Sequence, residues 1–367
     1  MDVRLAPGLA PMSIEGIEQI RGTRIAHLIE TDGPGGAERM LATMAQAFAA
    51  GGCPGVAFLP KNREGWLGRE LQSTGVEVEH YTLDHPYSPA CLRELTAAFR
   101  AHRIDLAHSH EFTMAVYGAW AARSAGIPHV ITMHGGRYYA GRWQRRLAMR
   151  IAAGTSARIV AVSQDLATHL RHDLHLAHGA IAVIPNGIRA CAAEKPSLRR
   201  ELSIPPADTI ILSVGNLYEV KGHQYLIDAL ALLPASTRAH LVIAGRGDLA
   251  DSLVERATAL GVAARVHLLG LRDDIPNLLA SADLFVHPSL REGLPVALLE
   301  AMLAGRAIVA SDVGEIGSAL SDGAGMLVPP ANPEILAASI LTLLDDREKA
   351  LAMGERAACR ARAVYSL

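Results

Sequence analysis

Two glutamates, Glu292 and Glu300, stand in a segment that is otherwise apolar from Leu294 to Leu303. A carboxylate in such a run needs a partner, because an unpaired buried charge is costly. A hydroxyl-rich ligand is one such partner, and backbone groups of the protein itself are another. Eight residues of helix rise roughly 12 Å. That exceeds the roughly 5 to 9.5 Å between the paired carboxyls of a sugar hydrolase. The two glutamates therefore read as contacts to different hydroxyls of one extended ligand. The same segment, Arg291–Ala301, follows an apolar strand run and opens a helix. The N–H groups of Gly293, Leu294 and Val296 at that helix start suit a phosphate.

Three further constellations lie where a strand run gives way to a helix. Thr31 to Glu38, with Gly33, Gly35 and Gly36, lets backbone approach a ligand at a helix start. Its spacing is not that of the GxGxxG dinucleotide fingerprint, and a tight turn explains the glycines equally well. Gly215 to Gly222 carries Asn216 and places Lys221 at a helix start, where an ammonium can neutralise a diphosphate or simply be solvated. His134, in Thr132–Gly136, and His110, in His108-Ser109-His110, end two strand runs. That end is where open α/β sheets bind ligands, although a lone histidine is as readily structural. Histidines 169, 172, 175 and 178 recur every third residue and read as a solvated helix face rather than a metal site. Arg246 lies in a glycine turn, Gly245 to Asp248, that needs no ligand to explain it.

The elements that must position these residues follow from the pattern. Apolar runs alternate with helical stretches through most of the chain, the signature of βα units and parallel sheets. Strands are expected at 24–30, 56–60, 76–81, 106–110, 129–134, 158–163 and 181–184. After the Pro185-Asn186-Gly187 turn and a polar stretch, they resume at 209–214, 240–244, 265–269, 284–288, 307–311 and 326–328. Helices are expected at 36–50, 90–102 and 113–125, and after each later strand. Asn332, Pro333 and Glu334 mark one helix start clearly. The expected organisation is an extension over 1–22, a Rossmann-like domain over 23–190, a linker over 191–208 and a second Rossmann-like domain over 209–367.

Composition narrows the function classes. The chain has 367 residues, 35 Lys plus Arg against 37 Asp plus Glu, and a net charge of −2, which argues against a nucleic-acid partner. Aromatic residues make up 4%, few for a module that stacks sugars on exposed rings. The four cysteines are scattered without a CxxC pair, which fits a reducing compartment and no metal cluster. No signal-peptide pattern and no membrane-length apolar run occur. A cytoplasmic protein is expected. Residues Arg137–Arg150 qualify this: as a helix they would align Arg142, Arg146 and Arg150 beside Trp143, Leu147 and Ile151. Tyr138 and Tyr139 precede it. Such an element suits the inner face of a membrane and a lipid-linked acceptor, or a helix packed on its own domain.

Taken together, EGLPVALLEAMLAG at 292–305, GGAERML at 35–41, IPNGI at 184–188 and VGNLYEVKGH at 214–223 resemble the retaining glycosyltransferases of family four. The resemblance runs from about Thr23 to the end. It implies the GT-B fold, two Rossmann-like domains with parallel sheets facing a central cleft and closing over the donor. It implies transfer of a sugar from a nucleotide-diphosphate sugar to a sugar or lipid-linked acceptor, in polysaccharide, lipopolysaccharide or glycolipid synthesis. It places Gly35 and Gly36 near the donor phosphates, Lys221 on them, and Gly293, Leu294, Pro295 and Val296 around them. His134 would contact the sugar ring, Glu292 its hydroxyls and Glu300 the ribose, with His110 on the acceptor side. The family's usual arginine is Asn216 here, and Arg291 or Arg246 would have to supply the missing charge.

No Asp-x-Asp pair occurs, so neither a metal nor another cofactor is expected, and retention would come from front-face attack. The family ordinarily continues past a segment like 363–367, which leads us to expect a longer natural chain. Two other readings stay open. One is another GT-B enzyme such as a nucleotide-sugar epimerase, which would release nucleotide without an acceptor. The other is a catalytically silent scaffold, whose mark would be loss of Lys221, Glu292 and Glu300.

Overall fold

Parallel strands buried on both faces need near-continuous apolar sequence, and the runs at 56–60, 209–214 and 307–311 come closest to it, whereas 76–81 alternates with charge. The structure, a computed structural model, describes residues 17–61, 65–83, 87–135, 139–189, 193 and 197–366. Contacts divide it into two units, Met1–Ile184 and Pro185–Leu367.

In the first unit the strands are β1 (Ile25–Leu28), β2 (Gly55–Pro60), β3 (Glu77–Tyr81), β4 (Leu106–His110), β5 (His129–Met133), β6 (Arg158–Ala161) and β7 (Ile181–Val183). The helices are α1 (Gly36–Ala50), α2 (Trp66–Ser73), α3 (Pro89–Ala101), α4 (Glu111–Ala125), α5 (Trp143–Thr155) and α6 (Gln164–Leu174). The seven-stranded sheet has the order β3-β2-β1-β4-β5-β6-β7, and its strand pairs are all parallel. Local chemistry fixes several helix starts. Ser88 accepts from the Cys91 N–H ahead of α3, and Ser163 from the Leu166 N–H ahead of α6. Buried Asp32, after β1, accepts from the N–H groups of Gly65 (2.7 Å) and Gly68 (2.8 Å) at the start of α2.

The second unit contains α7 (Leu198–Glu201), β8 (Thr209–Val214), a short 3-10 turn over Glu219–Lys221, α8 (His223–Leu232), β9 (Ala239–Ala244), α9 (Ala250–Ala259) and β10 (Val266–Leu268). It continues with α10 (Ile275–Ser281), β11 (Leu284–His287), α11 (Val296–Leu303), β12 (Ala307–Ser311), α12 (Ile316–Ala319), β13 (Met326–Val328), α13 (Pro333–Asp345) and α14 (Arg347–Val364). The sheet order is β10-β9-β8-β11-β12-β13, again parallel. Asn332 caps α13 as its sequence suggested, accepting from the Ile335 N–H at 2.9 Å. Within the stretch expected as linker, Leu198 and Ile204 are buried in this unit's core.

In both sheets the chain starts in the middle, winds outward, then crosses back to continue on the other side. This is the doubly wound Rossmann order, whose crevice opens where the winding reverses. That point lies between β1 and β4 in the first unit and between β8 and β11 in the second. It thus falls beside the connections that carry Gly35, His110, Lys221 and Glu292.

The first unit also buries an unusual amount of imidazole. His27 on β1 pairs in register with His108 on β4, and His110 and His129 are close by. All four are almost fully buried. Burial holds the His27 and His129 rings down at about 4. Burial and the neighbouring imidazoles hold His108 and His110 well below the usual histidine value. A histidine whose folded value is depressed takes up its proton preferentially in the unfolded chain. Its stabilisation is therefore complete above about pH 6.5 and is lost as pH falls towards the folded value. His27 and His129 each account for about 2 kcal/mol between pH 6.5 and 5. Urea unfolding of the full chain should show stability falling steeply over that range, with more than one proton taken up. A flat profile would contradict the buried neutral cluster.

Candidate active site

The second unit's crevice is built from two connections that grip each other. The β8–α8 connection carries Asn216, Lys221 and Gly222, and the β11–α11 connection carries Ser289 to Pro295. The Leu290 N–H donates to the Val220 carbonyl at 2.8 Å. Gly222 has a φ of +65, and a Cβ there would lie 2.2 Å from the Pro288 carbonyl oxygen. Only glycine allows both the left-handed turn and that approach. On the other side Gly314, φ +56, packs where a Cβ would meet the Glu292 carbonyl oxygen at 2.2 Å. The Glu315 N–H donates to the Gly293 carbonyl at 3.0 Å. Asn186 of the Pro-Asn-Gly turn donates its side-chain amide to the Leu294 carbonyl at 3.1 Å. The loop before α11 is thus fixed from three directions.

This clamping brings Lys221 and Glu292 together. Lys221 Nζ lies 2.6 Å from Glu292 Oε1, with the two side chains 25% and 10% exposed. The Ser289 hydroxyl donates to the same oxygen at 2.8 Å, and His287 Nε2 lies 2.9 Å from it. Burial by itself pushes the Glu292 carboxyl up. The Lys221 charge and the hydrogen bonds from His287 and Lys221 outweigh burial and hold it at about 2. Val296 opens α11 behind Pro295 with no side-chain cap, so Gly293, Leu294 and Val296 stand at an uncapped helix start. Arg291 and Arg246 are exposed, and Asn216 is partly buried.

Glu300 has different surroundings, as its place two turns into the segment suggested. With Leu303 and Ala304 on its own helix, it lines a cavity of about 240 Å³ against Arg189, Ile275, Pro276 and Leu279. Arg306 lines it too, so an apolar wall carries one carboxylate and two guanidiniums, a lining suited to a flat ring carrying hydroxyls. His287, Ser289, Asn186 and Gly314 were not among the candidates. His287 and Ser289 lie within five positions of Glu292 and were legible as neighbours. Asn186 lies 108 residues from its partner.

In the first unit, Gly35 precedes α1 in an extended conformation and Gly36 opens the helix. His110 ends β4, and His134 follows β5. Their rings stack with centroids 5.2 Å apart, and His110 Nδ1 lies 2.9 Å from His134 Nε2, one ring donating and the other accepting. The His134 N–H donates to the Glu111 carboxylate at 3.0 Å. Glu111 has a φ of +63, one of seven positive values at non-glycine residues among the described residues. Sequence reading did not single it out.

Two expectations change. Tyr139 is fully buried, so it lies under α5 rather than on an exposed amphipathic face, and Tyr138 lies outside the described residues. The helix itself begins at Trp143. Three of the recurring histidines, His169, His172 and His175, are partly or fully exposed, as expected of a solvated face, and the side chain of His178 lies outside what the structure describes. His169 lies near Asp165, and His172 is 88% exposed. Among the described residues, two groups bring three potential metal ligands within 4.8 Å of one another: His27, His108 and His110, and Glu77, Glu79 and His102. Also among the described residues, no helix is long and apolar enough to cross a membrane.

Comparison with known proteins agrees with this geometry. Residues 194–360 match the family described as glycosyl transferases group 1, and residues 34–190 match glycosyltransferase family 4. An uncharacterised glycosyltransferase of Methanocaldococcus jannaschii is 30% identical over 66% of this chain and 67% of its own. The UDP-Gal:α-D-GlcNAc-diphosphoundecaprenol α-1,3-galactosyltransferase of Escherichia coli is 30% identical over 60% of this chain and 61% of its own. Among solved structures, HepE of Anabaena in complex with UDP and glucose superposes with a TM-score of 0.83. It is 25% identical, over 94% of this chain and 96% of HepE. Two doubly wound domains, a paired lysine and glutamate at the second switch point, and matches over both halves make this chain a member of glycosyltransferase family four, with the GT-B fold.

Proposed function

We propose that this chain transfers a sugar from a nucleoside diphosphate sugar to an acceptor with retention of configuration and without a metal ion. The observation that carries this reading is the Lys221–Glu292 pair, 2.6 Å apart beside an uncapped helix start. Lys221 and the N–H groups of 293–296 take the diphosphate, supplying the charge stabilisation that the leaving group needs. Glu292 takes sugar hydroxyls, and Glu300 takes the ribose at the edge of its cavity. Asn216 and Arg291 complete the donor contacts. From the first domain we assign Gly35 and Gly36 to the phosphates, His134 to the sugar ring and His110 to the acceptor side. The acceptor hydroxyl attacks the face from which the nucleotide departs, and the leaving phosphate takes its proton. The UDP and glucose held by HepE make a UDP-sugar the first donor to test.

The galactosyltransferase of E. coli acts on a lipid diphosphate, and a lipid-linked acceptor is the reading we favour here, for polysaccharide or glycolipid synthesis. Helix α5 supports it. Trp143, Leu147 and Ile151, 64%, 49% and 40% exposed, form one row. Arg142, Arg146 and Arg150 are exposed beside them, and α5 contains no acidic residue. An apolar row flanked by cations suits an anionic bilayer surface.

Thermal-shift measurements with UDP-, GDP- and ADP-sugars should find one stabilising donor, with the shift reduced in Lys221→Ala and Glu292→Ala. No shift with any donor would count against the transferase reading. A transferred sugar that keeps the donor's anomeric configuration, read by proton NMR of the product, is the expected outcome; inversion would overturn the front-face mechanism. The full chain should float with liposomes containing anionic lipid, and Trp143→Ser/Leu147→Ser should float less. Equal recovery of both proteins would remove the membrane surface.

A further inference from the structure

Three donors converge on a single oxygen, Glu292 Oε1, and they are not equivalent. Ser289 and His287 belong to the same short segment as Glu292, and their own contact is 3.1 Å. Both are buried. The His287 ring stacks on fully buried Phe285, with centroids 6.2 Å apart and an interplanar angle of 17°. His287 is the last residue of β11, and Ser289 follows it by two positions in the clamped connection. Lys221 reaches the carboxylate from the other connection, on a long side chain that is a quarter exposed.

The reading given above requires Lys221 to serve a diphosphate. Removing the cation from a buried carboxylate is strongly unfavourable unless other donors remain. Hydrogen bonds to an ionised group are the strong kind, and two would stay behind. His287 Nδ1 is buried without a hydrogen-bond partner. Orphaned N–H groups are rarer in protein interiors than orphaned acceptors, which puts the proton of a neutral His287 on Nε2, facing Glu292.

We propose that His287 and Ser289 are positioning residues, a fixed seat for the Glu292 carboxylate that lets Lys221 exchange from Glu292 to the donor's diphosphate. This rests on the donor-binding reading. Without the seat, Glu292 keeps hold of Lys221, and the diphosphate loses its cation.

The test is calorimetric titration of the full chain with UDP, GDP and ADP near neutral pH. His287→Leu should weaken the nucleotide that wild type binds by about tenfold, equivalent to about 1.4 kcal/mol. Adding Glu292→Gln to His287→Leu removes the charge that retains Lys221. Affinity should then return to within about threefold of wild type. His287→Gln, whose amide N–H can replace Nε2–H, should stay near wild type. Ser289→Ala and Ser289→Ala/Glu292→Gln give the same comparison should His287→Leu fail to fold, with circular dichroism as the folding control. A merely structural histidine predicts no recovery on adding Glu292→Gln. Wild-type binding with His287→Leu unaffected, or a folded double variant without recovery, overturns the seat. No binding of any nucleotide by wild type overturns the donor reading, and the exchange with it.

Discussion

A carboxylate enclosed at the end of a parallel sheet must be supplied with positive charge or strong donors, or give up its own charge. Much of the second domain's local architecture serves that requirement at Glu292. Gly222 and Gly314 let three backbone segments close around it, Asn186 ties the Leu294 carbonyl, and Lys221, His287 and Ser289 share one oxygen. The result keeps Glu292 ionised with its carboxyl held at about 2. A charged pair thus stands beside a helix start without a side-chain cap, the kind of fixed electrostatic arrangement on which charge-separating reactions depend.

The first domain has the same winding but the opposite chemistry. Its switch-point neighbourhood is lined by buried, neutral imidazoles, and His134 is held both by His110 and through its backbone by Glu111. One domain presents fixed charge and the other neutral hydrogen-bonding groups. The difference follows from which side chains each switch point carries. It also makes the two domains respond differently to acid. Protonation attacks the imidazole cluster well before it reaches the Glu292 carboxylate.

Much of this was legible in the sequence, and the reasons are physical. Strands buried on both faces read as largely apolar runs, so β8 and β12 matched residue for residue; β4, with two histidines and a serine, and the partly exposed β13 matched as well. Others, such as β1 and β6, are shorter than expected because apolar sequence continues past the last ladder bond. Glu292, Glu300 and Lys221 stood out because charge in a glycine-rich or apolar strand-to-helix connection is conspicuous. What was hidden depends on tertiary proximity. Asn186 reads as a turn residue until the fold sets it against Leu294, and Gly314 as an ordinary loop glycine until the Glu292 backbone lies on it. Glu111 lies just ahead of the helix expected at 113–125, and its contact with the His134 N–H shows only in the fold. Tyr139 looked like part of an exposed aromatic face because sequence cannot say on which side of a helix start a ring will pack.

The central claim is that the Lys221–Glu292 pair is a diphosphate-sugar site with an exchangeable cation. A crystal structure of the full chain with an intact nucleotide sugar tests it most directly. The account predicts the diphosphate on the 293–296 amides and on Lys221 Nζ, with Glu292 still held by His287 and Ser289. A nucleotide bound elsewhere, or Lys221 still on Glu292 with the diphosphate unpaired, would contradict it.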